Sequence, residues 1–299
     1  MKPRQMRIAV LMACFNRRPK TLSSLENLFT QVLEPEISLD VYLLDDASTD
    51  GTAAAVRKAY PQVKILQGSG SLFWNGGMRR AFAAALKSDY AYYLWLNDDT
   101  ILYSETVGKL LSVSQQLIER GEERAIVAGA VCDPMAKTLT YSGLVRSSWW
   151  HPLKFSPVEP GETVKLCDTM HGNCVLIPRS VAQVVGNMDE NFTHYAGDLD
   201  YGLRAKQKGC TVWLAPEYVG TCPINSPQGS ACLDRNLSFK DRLAKIFQPK
   251  GLPPKEWRVF SQHHAGFFWP FYWILPYVRL FVLSVMGRVG ERYDDEVAG

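Results

Sequence analysis

The chain has 299 residues, enough for one large α/β domain or for a domain with an appendage. A hydrophobic fraction of 46% and a charged fraction of 21% exclude a disordered chain. A net charge of +3 is too small to mark nucleic acid as a partner, and none is expected.

The elements follow in chain order. Lys2, Arg4 and Arg7 precede the apolar stretch Ile8–Cys14, which imitates a signal peptide. The stretch is short, Asn16-Arg17-Arg18-Pro19 follows without a small-residue cleavage site, and a first buried strand is the better reading. Pro19 opens a helix through about Val32, with Leu22, Leu25, Leu28 and Phe29 on one face. Leu39–Leu44 is a second strand, and Asp50-Gly51 turns into a helix over Thr52–Ala59. Val63–Gln67 is a third strand. Gly68–Gly77 (GSGSLFWNGG) reads as a loop ahead of a helix over Met78–Leu86, and Tyr92–Leu96 is a fourth strand. Strands alternating with helices over short links predict an α/β fold, a mainly parallel sheet flanked by helices.

Glu105–Arg120 is predicted helical, Ala125–Val131 and Thr138–Leu144 extended, and Ser147–Val164 a loop. Cys174–Ile177 is a short strand, Pro178–Val185 a helix, Asp200–Lys208 a helix ended by Gly209, and Thr211–Ala215 a last strand ended by Pro216. Pro223–Ser230 has loop chemistry, and Ser238–Phe247 has helical character. Gly266–Met286 is mostly aromatic or aliphatic, interrupted by Pro270, Pro276 and Arg279. It supports three readings: a buried helical appendage, an interfacial membrane anchor, or a membrane span. Seven cysteines (14, 132, 167, 174, 210, 222 and 232) lack a paired metal spacing and fit reduced thiols.

Three acidic clusters carry the chemistry. Asp45-Asp46 ends an apolar strand and precedes Ser48, Asp50 and Gly51. A carboxylate there accepts hydrogen bonds from a base or ribose, or is an ordinary strand end beside a turn. Asn97-Asp98-Asp99 ends the nearly all-apolar Tyr92–Leu96. Adjacent carboxylates repel unless a cation joins them to a ligand, and oxygen ligation suits Mg²⁺ or Mn²⁺ on a diphosphate; the alternative is a helix cap at Asp99 or Thr100. Asp198 and Asp200 precede Arg204, either as a general base or as helix caps with a surface ion pair. The GSGSLFWNGG loop offers backbone to a diphosphate or sugar, but it is neither a Walker A loop nor a dinucleotide fingerprint. His171 and His194 lack metal spacing and read as polar loop residues, and Cys174 reads as structural.

Together these segments resemble family-2 glycosyltransferases of the GT-A fold, in order through about Ile8–Thr221. ACFNRR (Ala13–Arg18) resembles the first nucleotide-binding turn, which implies donor contacts for Cys14, Asn16 and Arg17. DDASTDGT (Asp45–Thr52) resembles the nucleoside turn and implies Asp46 and Ser48 near the base. NDD (Asn97–Asp99) resembles the acidic metal motif, with Asp99 as the direct ligand and Asn97 and Asp98 beside the donor. FWNGGMRRA (Phe73–Ala81) looks like the sugar-nucleotide loop of a bacterial rhamnosyltransferase-like subgroup, implying Asn75, Gly76 and Gly77. GDLDYGLR (Gly197–Arg204) resembles the segment bearing the catalytic base, which falls on Asp198.

The resemblance implies a GT-A domain over 1–222, nucleotide-binding to about 100 and acceptor-binding beyond, followed by an appendage over 223–299. It implies inverting transfer from a dTDP- or UDP-sugar, with Mg²⁺ or Mn²⁺, to a saccharide or lipid-linked saccharide acceptor in bacterial surface polysaccharide synthesis. Trp149, Trp150, His151 and the Tyr195 loop are expected at the acceptor. The place of work is the cytoplasm, with docking to the inner membrane face as the peripheral variant. Two departures stand out: Tyr218–Cys222 lacks the histidine that many relatives place after the last strand, and the usual acid before the base is Gly197. They motivate a rival reading, a catalytically silent sugar-nucleotide-binding or scaffold subunit.

Overall fold

Strands buried on both faces need apolar residues at every position rather than every second one. The first, second and fourth apolar runs have that pattern. The computed structural model describes residues 5–224 and 237–282. These divide into two compact units, residues 5–147 with 155–224, and residues 148–154 with 237–282.

In the first unit the strands are β1 (Met6–Cys14), β2 (Ile37–Asp45), β3 (Lys64–Gln67), β4 (Tyr92–Leu96), β5 (Ile101–Leu102), β6 (Ala125–Cys132), β7 (Leu139–Tyr141), β8 (Gly143–Arg146), β9 (Phe155–Pro157), β10 (Lys165–Cys167), β11 (Thr169–Met170), β12 (Cys174–Pro178) and β13 (Thr211–Thr221). The helices are α1 (Arg18–Phe29), α2 (Thr52–Ala59), α3 (Phe73–Ala85), α4 (Thr106–Glu119), α5 (Arg179–Val185) and α6 (Gly197–Gln207). The main sheet runs β10-β13-β6-β12-β4-β1-β2-β3, with β5 on β13 and β7 on β6. A small sheet, β11-β8-β9, stands apart. The longest pairings are parallel, β1 with β2 and β13 with β6, while β12 lies antiparallel between β4 and β6.

Alternate residues of one strand feed two cores. Ile8, Val10 and Met12 pack with Leu25 and Leu28 of α1, whereas Ala9 and Leu11 pack with Met78 and Phe82 of α3. Trp95, fully buried, meets Phe82 and Tyr201 on that second face. Each such large apolar side chain contributes about 1.5–3 kcal/mol on burial. The chain leaves β1 toward β2 on one side and returns through β4 on the other. This reversal opens a crevice beyond the C-terminal ends of β1 and β4, where open α/β sheets bind ligands.

Several expectations need correction. α3 starts at Phe73, so Phe73–Gly77 form its first turns rather than a loop. β13 does not stop at Pro216 but continues to Thr221, with register shifts against β6 between Leu214 and Gly220. A proline is tolerated at such an irregularity because no ladder donor is needed there. Thr138–Leu144 is two strands broken at Ser142, and the expected loop after Ser147 contains β9.

In the second unit α7 spans Phe239–Ile246, with the Ser238 hydroxyl accepting from the Asp241 N–H as its cap, and α8 spans Pro254–His264. A short 3-10 turn, Gly266–Phe268, leads into a helix over 269–282. The chain stays helical through Pro270 and Pro276, which the sequence marked as interruptions. No helix among the described residues is long and apolar enough to cross a membrane. Residues 283–286 of the apolar stretch and most of Pro223–Ser230 lie outside the described residues, as does Cys232.

Candidate active site

Two turns at the ends of β1 and β2 are stitched into one wall. Asn16 sits at φ 50° and its Oδ1 accepts the Thr49 N–H at 2.7 Å. The Asn16 N–H donates to Ser48 Oγ at 2.9 Å, the Ser48 N–H to Asp45 Oδ1 at 2.9 Å, and the Arg18 N–H to Asp50 Oδ2 at 2.9 Å. Asn16 and Ser48 thus shape the turn with the groups expected at the donor. Cys14 is buried against Asp45, and burial pushes its thiol well above the usual range.

Asp46 is committed to a loop. Its Oδ1 accepts the Gly70 N–H at 2.8 Å, and its Oδ2 accepts those of Leu72 at 2.8 Å and Phe73 at 3.1 Å. The carboxylate also meets the start of α3, where unpaired N–H groups favour an anion. Asp46, expected near the base, anchors Gly68–Phe73 through these N–H groups.

Asn75, Gly76 and Gly77 are buried in α3 rather than presented by a loop. A Cβ on Gly77 would stand 2.9 Å from that of Ala13, so glycine lets the helix lie close on β1. Asn75 donates from Nδ2 to the Asp189 carbonyl at 3.1 Å and the Phe192 carbonyl at 2.6 Å. All three are packed by protein atoms at the start of α3, the segment the resemblance places beside the donor.

The acids after β4 converge with the turn after β1. Arg17 Nη1 lies 2.7 Å from Asp99 Oδ2 and 3.2 Å from Asp98 Oδ1, and Lys20 Nζ lies 3.9 Å from Asp99 Oδ2. Thr21 Oγ1 donates to Asp98 Oδ2 at 3.3 Å. Burial pushes the Asp98 carboxyl up to about 7, against the pull of Arg17. The donor set fits a divalent cation: two buried carboxylates on one crevice, and the hydroxyl of fully buried Thr100 with no hydrogen-bond partner among the described residues.

Asp198 lies in the first turn of α6. Its Oδ2 accepts the Gly172 N–H at 2.8 Å and its Oδ1 accepts the Leu199 N–H at 2.9 Å. Burial raises its pKa while His171 opposes the rise, and burial lowers that of His171. His171 is held by the Ser142 backbone at 3.2 Å. Asp200 and Arg204 form a pair at 2.6 Å, but Asp200 is fully buried rather than on the surface. Arg204 also donates to the Val185 and Asn187 carbonyls, so the pair pins α6.

Trp74, which the sequence reading left without a role, joins the acidic motifs. Its Nε1 donates to Asn97 Oδ1 at 2.6 Å, and a Cβ on Gly172 would stand 2.4 Å from its ring. Asn97 and the Gly172–Asp198 contact therefore flank one indole. The signal was available: a tryptophan beside Asn75-Gly76-Gly77 combines a large ring with one N–H donor.

The family model for glycosyl transferase family 2 matches residues 9–186. The chain belongs to this family. Over 206 residues this family-2 chain is 26% identical to the N-acetylglucosaminyl-diphospho-decaprenol L-rhamnosyltransferase of Mycobacterium tuberculosis, in strains CDC 1551 / Oshkosh and ATCC 25618 / H37Rv, covering 61% of this chain. It spans 65% of the length of those curated relatives. Its fold is similar to that of the mannosyltransferase PcManGT from Pyrobaculum calidifontis, solved with GDP-Man and Mn²⁺, with TM-score 0.51 and 16% identity over 80% of this chain and 64% of that one. It is also similar to S. aureus TarS, with TM-score 0.51 and 12% identity over 86% of this chain and 43% of that one. The family-2 chain accordingly has a GT-A-like fold.

Proposed function

We propose that this protein is an inverting glycosyltransferase. It moves a sugar from a nucleotide-diphosphate donor, a dTDP- or UDP-sugar, to a saccharide or lipid-linked saccharide acceptor in bacterial surface polysaccharide synthesis. The observation that carries the reading is the single indole of Trp74, which donates to Asn97 of the acidic motif and fills the space a side chain on Gly172, whose N–H holds Asp198, would need. A displacement at one carbon needs a diphosphate group on one side and a base on the other. The resemblance of the curated relative, an L-rhamnosyltransferase by name, supports the lipid-linked acceptor.

In this mechanism Asp198 takes the proton of the acceptor hydroxyl as the oxygen attacks the anomeric carbon. Its two backbone hydrogen bonds fix the carboxylate's direction, and its raised pKa makes it the stronger base. Arg17 and Lys20 lie where a departing diphosphate gathers charge. Asp99, with Asp98 beside it, would hold Mg²⁺ or Mn²⁺, which supplies Lewis-acid stabilisation of the diphosphate. Cys14, Asn16 and Ser48 line the turn that receives the nucleoside.

The second unit supports a membrane-surface role. Phe267 and Phe268 are 90% and 66% exposed, and Phe271, Ile274, Val278, Phe281 and Val282 continue the apolar stripe along helix 269–282. The other side is anchored: Trp273 Nε1 donates to the Pro254 carbonyl, Tyr277 to the Leu252 carbonyl, and Leu280 is buried. Exposed Lys255, Arg258 and Arg279 suit anionic headgroups on the cytoplasmic face. Trp150 and His151, expected at the acceptor, lie in this unit, where the Tyr272 hydroxyl donates to the Trp150 carbonyl.

The test pairs the full chain with a panel of nucleotide-diphosphate sugars and N-acetylglucosaminyl-diphospho-decaprenol in anionic vesicles. One donor should raise the melting temperature and yield a disaccharide of inverted anomeric configuration by NMR. Binding of a donor with neither transfer nor hydrolysis identifies the silent-subunit reading instead. Phe267→Ser with Phe271→Ser should abolish co-flotation with the vesicles; flotation unchanged in that variant rejects the membrane role.

A further inference from the structure

The two oxygens of Asp99 face different partners. Oδ2 is taken by Arg17 and approached by Lys20, whereas Oδ1 accepts the Cys222 S–H at 3.6 Å. Cys222 follows β13 directly and is fully buried. Its sulfur accepts Asn173 Nδ2–H at 3.5 Å, and the buried hydroxyl of Thr100 lies beside the same thiol. A sulfur about 2.3 Å and an oxygen about 2.1 Å from one ion stand about 3.1 Å apart at a right angle and about 3.6 Å apart at the tetrahedral angle. The observed separation therefore suits two ligands of one cation.

We infer that Cys222 is a protein ligand of the divalent cation and would bind as a thiolate alongside Asp99 Oδ1. This rests on the glycosyltransferase reading above. On binding, the S–H bond breaks, the proton leaves to solvent, and a sulfur–metal bond forms. Thr100 Oγ and the Asn173 carboxamide remain beside the ion to orient ligands or water. A soft sulfur shifts preference toward Co²⁺, Zn²⁺ or Cd²⁺ and away from Mg²⁺ and Mn²⁺, which favour oxygen.

The full chain is titrated with Co²⁺ alone and followed by near-ultraviolet absorption. The wild type should develop a sulfur-to-cobalt charge-transfer band at one equivalent, and Cys222→Ser, which keeps a hydrogen-bond donor, should lack it and bind Co²⁺ about tenfold or more weakly. Cys222→His should restore Co²⁺ affinity without the sulfur band, which keeps the test open if the serine variant fails to fold. Co²⁺ bound by the wild type without the band, or a band that persists in Cys222→Ser, overturns the assignment. Sugar transfer with Mg²⁺ in the same wild-type sample reports separately on the glycosyltransferase reading, which survives if transfer is seen without the band.

Discussion

A Cβ placed on Gly197 would stand 1.9 Å from Oδ1 of Asn75. The absence of an acid before Asp198 is thus a fit between two residues: α3 brings a carboxamide to the start of α6, and only a residue without a side chain leaves room. Gly197→Ala should force the two helices apart, at a cost of about 1–3 kcal/mol. Because Asp198 is the next residue, turnover should fall more than donor affinity does. Thermal denaturation with steady-state kinetics checks this; an alanine variant with wild-type stability and turnover would show that the contact yields freely.

Asp198→Asn should leave nucleoside-diphosphate affinity intact and lower kcat by about a hundredfold or more. The base must be ionised and its pKa is raised by burial, so wild-type activity should fall with decreasing pH at values above the ordinary carboxylate range. His171 opposes that rise, so His171→Gln should move the acidic limb to still higher pH. A pH–kcat profile unchanged in His171→Gln removes the histidine from this role.

Asp46→Ala removes the acceptor of three N–H groups. The expected loss is about 2–4 kcal/mol of stability, since hydrogen bonds to a charged group are worth more than neutral ones. Donor and free nucleoside diphosphate should lose affinity together, because the whole Gly68–Phe73 segment loosens. Isothermal titration separates this from a base contact, which would weaken nucleoside binding while stability stayed constant.

Asp98 titrates at about 7 in the folded protein against an ordinary 3.8. Folding therefore favours its neutral form: the stabilisation is fully present below about pH 4 and is lost as pH rises through about 7. Asp98→Asn should abolish that decline, so that in chelator the variant melts higher than wild type at pH 8 and the gap closes toward pH 4. Parallel melting curves across this range would contradict the assignment.

The long strands were legible because β1, β2 and β4 are buried on both faces and read as unbroken apolar runs. Asp99 drew attention as an acid arriving abruptly after such a run, whereas Asp198 was singled out only through the resemblance of GDLDYGLR to a known segment. Phe73–Gly77 misled because paired glycines usually break helices, whereas here Gly77 serves close packing on Ala13. β5 and β11 have two residues each, too few for any period to show. Pro216 marked an end only because local chemistry carries no register. Arg17 reaches Asp98 and Asp99 across 81 and 82 residues of sequence, brought together by the chain reversal between β1 and β4, and Trp74 reaches Asn97 across 23 by the docking of α3 beside β4.

All six cysteines among the described residues are buried. Burial pushes Cys167 up to about 11 and Cys174 and Cys222 up to about 12, so the reactive thiolate is scarce in the closed state. Alkylation then becomes a clock for local opening, with Cys14 and Cys222 timing the two walls of the crevice and Cys174 timing the sheet's centre. Peptide mapping of a single labelled sample can rank these segments by how often they breathe, and a cation that grips Cys222 should slow that residue's clock alone.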